Sequence, residues 1–249
     1  MLIRPTRLES FGRVLFGISI SAFGVMQFAY GDFIPGRAPA WPEALPGRLA
    51  WSVTSGVIFV FAGVALALGR NARWPAAATG VLIAGWALGR RLPLLMANPT
   101  GFVLTLTGKA LALSGGALSM GGSALAPLGR LCLGAFMVLG GVQHFIYPTF
   151  VATLIPRWIP SPVFWTYFAG LALVAGGLGM QVRRTRALAS FFSGVMLLSW
   201  VFMLHIPRAW AAATSADGRN EWTSVFEALA FAGVAFFASG TSEAADQDA

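Results

Sequence analysis

Gly12-Arg13-Val14-Leu15-Phe16-Gly17 and Gly129-Arg130-Leu131-Cys132-Leu133-Gly134 are one hexapeptide pattern met twice in a single chain. Working outward, Gln27-Phe28-Ala29-Tyr30 returns as Gln143-His144-Phe145-Ile146-Tyr147 with one residue inserted. The correspondence continues through Trp41 and Trp158, Trp51 and Trp165, Gly80 and Gly194, Trp86 and Trp200, and Pro93 and Pro207. Repetition on this scale marks one folding unit used twice, so each half checks the reading of the other. Where the halves differ is where function is to be sought.

Composition sets the class. Apolar residues make up 57% of the chain and charged residues 10%, with a mean hydropathy of +0.72, whereas about a quarter of a soluble domain is charged. Crossing a hydrocarbon layer of about 30 Å takes roughly 20 apolar residues, and such runs occur four times per half: 14–34, 49–69, 74–93 and 101–124, then 131–150, 164–182, 187–207 and 222–240. The expectation is an all-α membrane protein with eight transmembrane helices arranged as two parallel-repeat four-helix bundles. Residues 1–124 form the first unit, 125–240 the second, and 241–249 a short acidic tail, disordered from 243 to 248. The first run follows Arg4, Arg7 and Arg13 and precedes Ala38-Pro39-Ala40, as a cleaved signal would. Its counterpart at 131–150 lies mid-chain, so the first run is expected to stay as a helix.

An even number of crossings per unit puts both units in the same orientation and both termini on one side. Placing that side in the cytoplasm of an inner (plasma) membrane puts nine arginines on inner segments and seven on outer ones, Arg37 among the latter. The short turns 70–73 and 183–186 carry the densest clusters, and short loops are where the positive-inside rule acts most strongly. The net charge of +8 then reads as topology and contact with anionic headgroups of the lipid bilayer, with no nucleic-acid partner, because the arginines are spread over helix ends. Cys132, the single cysteine, excludes dithiol chemistry within the chain and reads as a small apolar filler.

Small residues allow close helix approach in lipid, and Gly115, Ser119 and Ser123, beside Ala117 and Gly121, offer such a seam in the fourth run, as Ala175 and Gly179 do in the sixth. The connections after the first and fifth runs are rich in proline and aromatics, Phe33, Pro35, Pro39, Trp41, Pro42 and Pro46 in one and Tyr147, Pro148, Phe150, Pro156, Trp158, Pro160 and Pro162 in the other. Both read as segments lying along the outer interface.

An ionisable group deep in a span costs roughly 2.5–3.5 kcal/mol on insertion scales and needs a partner or a wet cavity. Lys109 aligns with Glu227, opposite charges that would pair if the fourth and eighth helices meet. Arg91, before Pro93, aligns with His205, before Pro207, and Gln27 with Gln143-His144. All of these fall in the outer half of the bilayer, and the second unit holds both histidines and Glu227. Four readings fit this set: side chains snorkelling around a structural Lys109–Glu227 pair; a quinone pocket with His144, His205 or Arg91 as donors beside Gln143, Phe145, Tyr147, Trp200 and Trp210; haem held by His144 and His205; and a metal held by His144, His205 and Glu227.

The Gly-rich helix running into Gln143-His144-Phe145, the outer Pro-rich segment and the His205-x-Pro207 ending resemble the DoxX-like family of small four-helix membrane proteins. Some of its members are linked to quinone-coupled oxidation of sulfur compounds or to oxidative-stress complexes. The resemblance implies a quinone-facing subunit or accessory of a membrane oxidoreductase, with membrane redox proteins as partners, His144 and His205 as donors or proton relays and Glu227 taking up the proton. The alternative is a non-catalytic membrane binding or scaffold protein, or a small-solute transporter.

Overall fold

The computed structural model describes residues 6–34, 41–42, 45–69 and 71–247, so Arg4, Pro35, Arg37, the 38–40 tripeptide, Arg70 and position 248 lie outside the described residues. Eight helices are long and apolar enough to cross a membrane. They are α1 (Arg7–Tyr30), α2 (Arg48–Ala67), α3 (Arg73–Ala97), α4 (Gly101–Ser119), α5 (Ala126–Ile146), α6 (Pro162–Gly179) and α7 (Arg186–Ala211), followed by α8 (Ser215–Gln247). Every described regular element is helical. The helix α8 continues to Gln247, so the described part of the acidic tail extends that helix instead of forming a disordered end.

Side-chain caps and a left-handed glycine mark where these helices start and stop. The Thr6 hydroxyl accepts from the Glu9 amide at 3.1 Å and opens α1, Thr100 does the same for Val103 in α4 at 3.3 Å, and Thr214 caps α8 by accepting from the Asp217 amide at 3.1 Å. Gly31 ends α1 in the left-handed region, at φ 63°.

The helices pack through glycine. A methyl group on Gly24, Gly63, Gly141 or Gly177 would fall 2.5–2.6 Å from the carbonyl oxygen of Gly56, Gly17, Gly170 or Gly134 respectively, so α1 lies against α2, and α5 against α6, with backbone touching backbone. The same heptad-spaced pairs recur in both halves. The fourth-helix seam faces α5: Gly115 abuts Cys132 Sγ, and Gly129 abuts the Ser119 side chain. Gly179, in α6, meets Ala189 of α7.

The two halves interlock. The first helix packs on α2 and on α8, and α5 packs on α6 and on α4, while α3 leans on α4 and α7 on α8. Consequently α8 is the most enclosed helix, and the main core runs from Phe16, Ile20 and Phe23 through Leu113 and Met137 to Val234 and Phe237.

Two π-helical segments interrupt α3 and α7, Ala87–Arg91 and Val201–His205. Each begins directly after a tryptophan, Trp86 or Trp200, and ends two residues before a proline. Proline has no N–H and its ring crowds the carbonyl four residues back, here Gly89 or Met203, so the ladder loosens by one residue. Leu92 accordingly donates to the Ala87 carbonyl and Ile206 to that of Val201.

Candidate functional site

Two cavities flank these segments. The smaller, about 80 Å³, is lined by Gln27, Trp86, Arg91, Lys109 and Glu227 among apolar neighbours. The larger, about 700 Å³, is lined by His144, Trp200, His205 and Arg208, with Trp158, Trp165, Phe168 and Phe192 supplying aromatic wall. Register relates the two. Gly24 and Gly141 make the same contact on the following helix, and three residues on stand Gln27 and His144. His144 therefore occupies the place of Gln27, Phe145 that of Phe28 and Tyr147 that of Tyr30, which corrects the expected one-residue insertion: of the pair Gln143-His144, it is His144 that answers to Gln27. Gln27, Trp86 and Arg91 in one cavity thus answer to His144, Trp200 and His205 in the other.

In the smaller cavity Gln27 donates through Nε2 to the Ser52 carbonyl and the Ser55 hydroxyl, both at 2.8 Å. Lys109 Nζ stands 2.8 Å from Glu227 Oε2, joining α4 to α8. Gln27, Arg91 and Glu227 are all buried. Two cations and one carboxylate share a space with room for only a few waters, which reads as an electrostatic joint at the junction of the halves.

In the larger cavity His144 Nδ1 lies 2.7 Å from the Gly140 carbonyl. A carbonyl only accepts, so Nδ1 carries the proton and Nε2 of the neutral ring is left as an acceptor. Arg208 ties three elements together: Nη2 sits 2.5 Å from Glu221 Oε1 of α8, and Nη1 donates to the Leu154 carbonyl at 3.4 Å. The segment after α5, with its short helix Pro148–Thr153, covers the cavity through Val151, Leu154, Ile155 and Trp158. Several wall residues, Trp165, Phe168, Phe192 and Met203, are exposed on the outer surface of the helices, so the cavity opens sideways between α6 and α7, toward where acyl chains would lie.

The residues expected at one site are thereby divided. The histidines and Trp200 share the larger cavity; Arg91, Lys109 and Glu227 line the smaller one. Glu227 is turned to Lys109 by its register on α8, and a His144, His205 and Glu227 ligand set is not assembled. Among the described residues no group of three His, Cys, Asp or Glu side chains is placed to hold a metal ion. Gln143 and Tyr147 face α4 and line neither cavity. Gln143 Nε2 donates to the Gly101 carbonyl at 3.0 Å, Thr105 donates to its Oε1 at 2.7 Å, and the Tyr147 hydroxyl lies beside Gly101. Phe145 stacks on Tyr167 and Trp210 meets Trp222 edge to face, and neither Phe145 nor Trp210 lines the larger cavity. Arg208 and Thr166 are additional polar lining residues. The sequence held a signal for Arg208, which follows Pro207 directly, but it reads there as one more interfacial charge.

A family model described as a domain of unknown function (DUF8561) matches residues 133–236, a stretch that contains every residue lining the larger cavity. No curated protein and no solved structure matches the chain.

Proposed function

We propose that this chain is an inner-membrane protein of DoxX-like type, built from two like-oriented copies of a four-helix unit with both termini in the cytoplasm, and that its second copy binds a quinone-class molecule as a subunit or accessory of a membrane oxidoreductase. The paired glycine seams and the two π segments at matching positions support the duplication. One observation carries the ligand class: an aromatic cavity of about 700 Å³ that carries His144, His205 and Arg208 on its wall and whose residues Trp165, Phe168, Phe192 and Met203 are exposed on the surface of α6 and α7.

The fit follows from the donor set. A quinone needs a flat apolar slot and polar partners for its oxygens, and when bound it supplies two-electron, two-proton redox chemistry. Trp158, Trp165, Trp200 and Phe168 provide the slot. The Arg208 guanidinium, held by Glu221 and Leu154, presents a fixed donor fork. Nε2 of neutral His144 accepts a hydroxyl proton, and His205 offers a second titratable ring on the same wall.

Full-length protein purified in mild detergent is expected to release quinone on solvent extraction and to show saturable tryptophan quenching on adding a short-chain quinone. Replacing His205 with alanine should weaken binding about tenfold, the loss of one hydrogen bond in a dry site. Pro207→Ala should have a comparable effect, because closing the π turn to an α turn rotates His205 off the wall, whereas Pro93→Ala should leave quinone affinity unchanged. Quenching that is not saturable, or is indifferent to His205, would reject the assignment, and a Soret band in the purified protein would transfer the histidines to haem.

A further inference from the structure

The two halves treat one aromatic position in opposite ways. In the register that sets Gln27 against His144 and Tyr30 against Tyr147, Gly31 answers to Pro148, Phe33 to Phe150 and Trp41 to Trp158. Gly31 ends α1 at φ 63°, and the Phe33 amide then donates to Asp32 Oδ1 at 2.8 Å, a turn that sends the Phe33 ring inward. Phe33 is 7% exposed. Its ring stacks on Trp41 with centroids 5.4 Å apart and planes 10° from parallel, meets Trp86 edge to face at 4.9 Å, and lines the smaller cavity with Gln27 and Arg91.

Proline cannot make that left-handed turn, because its ring holds φ near −65°. Pro148 instead opens the short helix Pro148–Thr153, at the helical position that suits proline best. The chain is carried on in that helix, and Phe150 is left 64% exposed and lines neither cavity. Trp158 and Trp200, the counterparts of Trp41 and Trp86, both line the larger cavity with His144 and His205. The second half thus keeps the two tryptophans and takes away the phenyl ring that stands between them in the first.

We infer that the ring of the bound molecule sits in the second half where the Phe33 ring sits in the first, flat against Trp158 and edge-on to Trp200. The inference deepens the quinone reading and rests on it. A quinone ring is flat and electron-poor, which suits the negative face of an indole. In that place it has His144 and His205, the counterparts of Gln27 and Arg91, beside it to meet its oxygens. Trp158 thereby selects a flat ring, and Pro148 keeps the chain's own phenyl group from competing for the place.

The test uses full-length protein in mild detergent and a benzoquinone bearing a short alkyl chain. Affinity is measured by equilibrium dialysis, which does not depend on the number of tryptophans, and stacking by the long-wavelength charge-transfer absorption of a quinone against an indole. The wild-type protein is expected to show that band at saturation. Trp158→Leu should lose it and bind on the order of tenfold more weakly, Trp158→Phe should recover most of the affinity, and Trp41→Leu, the same change in the first half, should bind as wild type. Full affinity in folded Trp158→Leu while His205→Ala still weakens binding would overturn this placement and leave the quinone site standing. An equal loss in Trp41→Leu would also overturn it, as would the absence of the band at saturation even if Trp158→Leu does not fold. No saturable binding to wild-type protein would reject the quinone reading and this inference with it.

Discussion

Replacing Glu227 with glutamine is expected to be the most damaging single change to the charged groups of this chain, costing about 3–5 kcal/mol, the range for removing one partner of a buried ion pair. Glu227 is 2% exposed on the most enclosed helix, and among the described residues it is the only carboxylate lining a cavity that also holds Lys109 and Arg91. Without it two cations face each other in low dielectric. Lys109→Met should cost less, because Lys109 is 23% exposed and Arg91 remains to balance the carboxylate. The order of the two variants is therefore itself informative. The exchange Lys109→Glu with Glu227→Lys rebuilds the pair with its signs reversed and should recover more folded protein than either change alone. The monodisperse fraction in detergent and the thermal midpoint report it, and an exchange variant no better than the worse single variant would show that the two side chains are not coupled.

The second large effect is steric. A leucine at Gly12 would place its Cβ 2.5 Å from both the Gly233 carbonyl oxygen and the Phe237 amide nitrogen. Backbone cannot yield as a side chain does, so α1 and α8 must separate, at a cost of about 3 kcal/mol or more from overpacking and lost contact. Gly85 is the matched control, since nothing lies within 4 Å of the position a Cβ would take there. Gly85→Ala should be neutral or stabilising by up to about 1 kcal/mol through helix propensity. Thermal midpoints of the two variants decide the matter: a tolerated Gly12→Leu would mean that α1 and α8 are not in contact.

Hydropathy alone located all eight spans, because in lipid the apolar run and the helix are nearly the same object. Its errors lie at the ends. The third and seventh helices reach Ala97 and Ala211, beyond the expected 93 and 207, because Pro93 and Pro207 loosen the ladder without breaking it. The last helix begins at Ser215, earlier than 222, because a Thr214 cap supports a polar first turn that hydropathy does not register. The glycine seams were legible in principle, since Gly17 and Gly24 recur as Gly134 and Gly141 and Gly56 and Gly63 as Gly170 and Gly177.

The site was legible by kind more than by arrangement. His144, His205 and Trp200 stand out as polar or amphipathic groups in apolar helices, and they do share a cavity. Which neighbour each side chain faces depends on helix rotation, and rotation is fixed by partners far away in the chain. Glu227 meets a residue of α4 and Gln143 turns to Gly101 for that reason. Interlocking through α1 on α8 and α4 on α5 was not readable from a repeat that suggests two self-contained bundles.

A photoactivatable quinone bound to the full-length chain in lipid, irradiated and followed by peptide mapping, tests the ligand site most directly. Label is expected on peptides from 151–169 and 192–208, competed away by unlabelled quinone and reduced in the His205→Ala variant. Label confined to the first four helices, or spread evenly over lipid-facing surface and indifferent to competitor, would contradict a quinone site between α6 and α7.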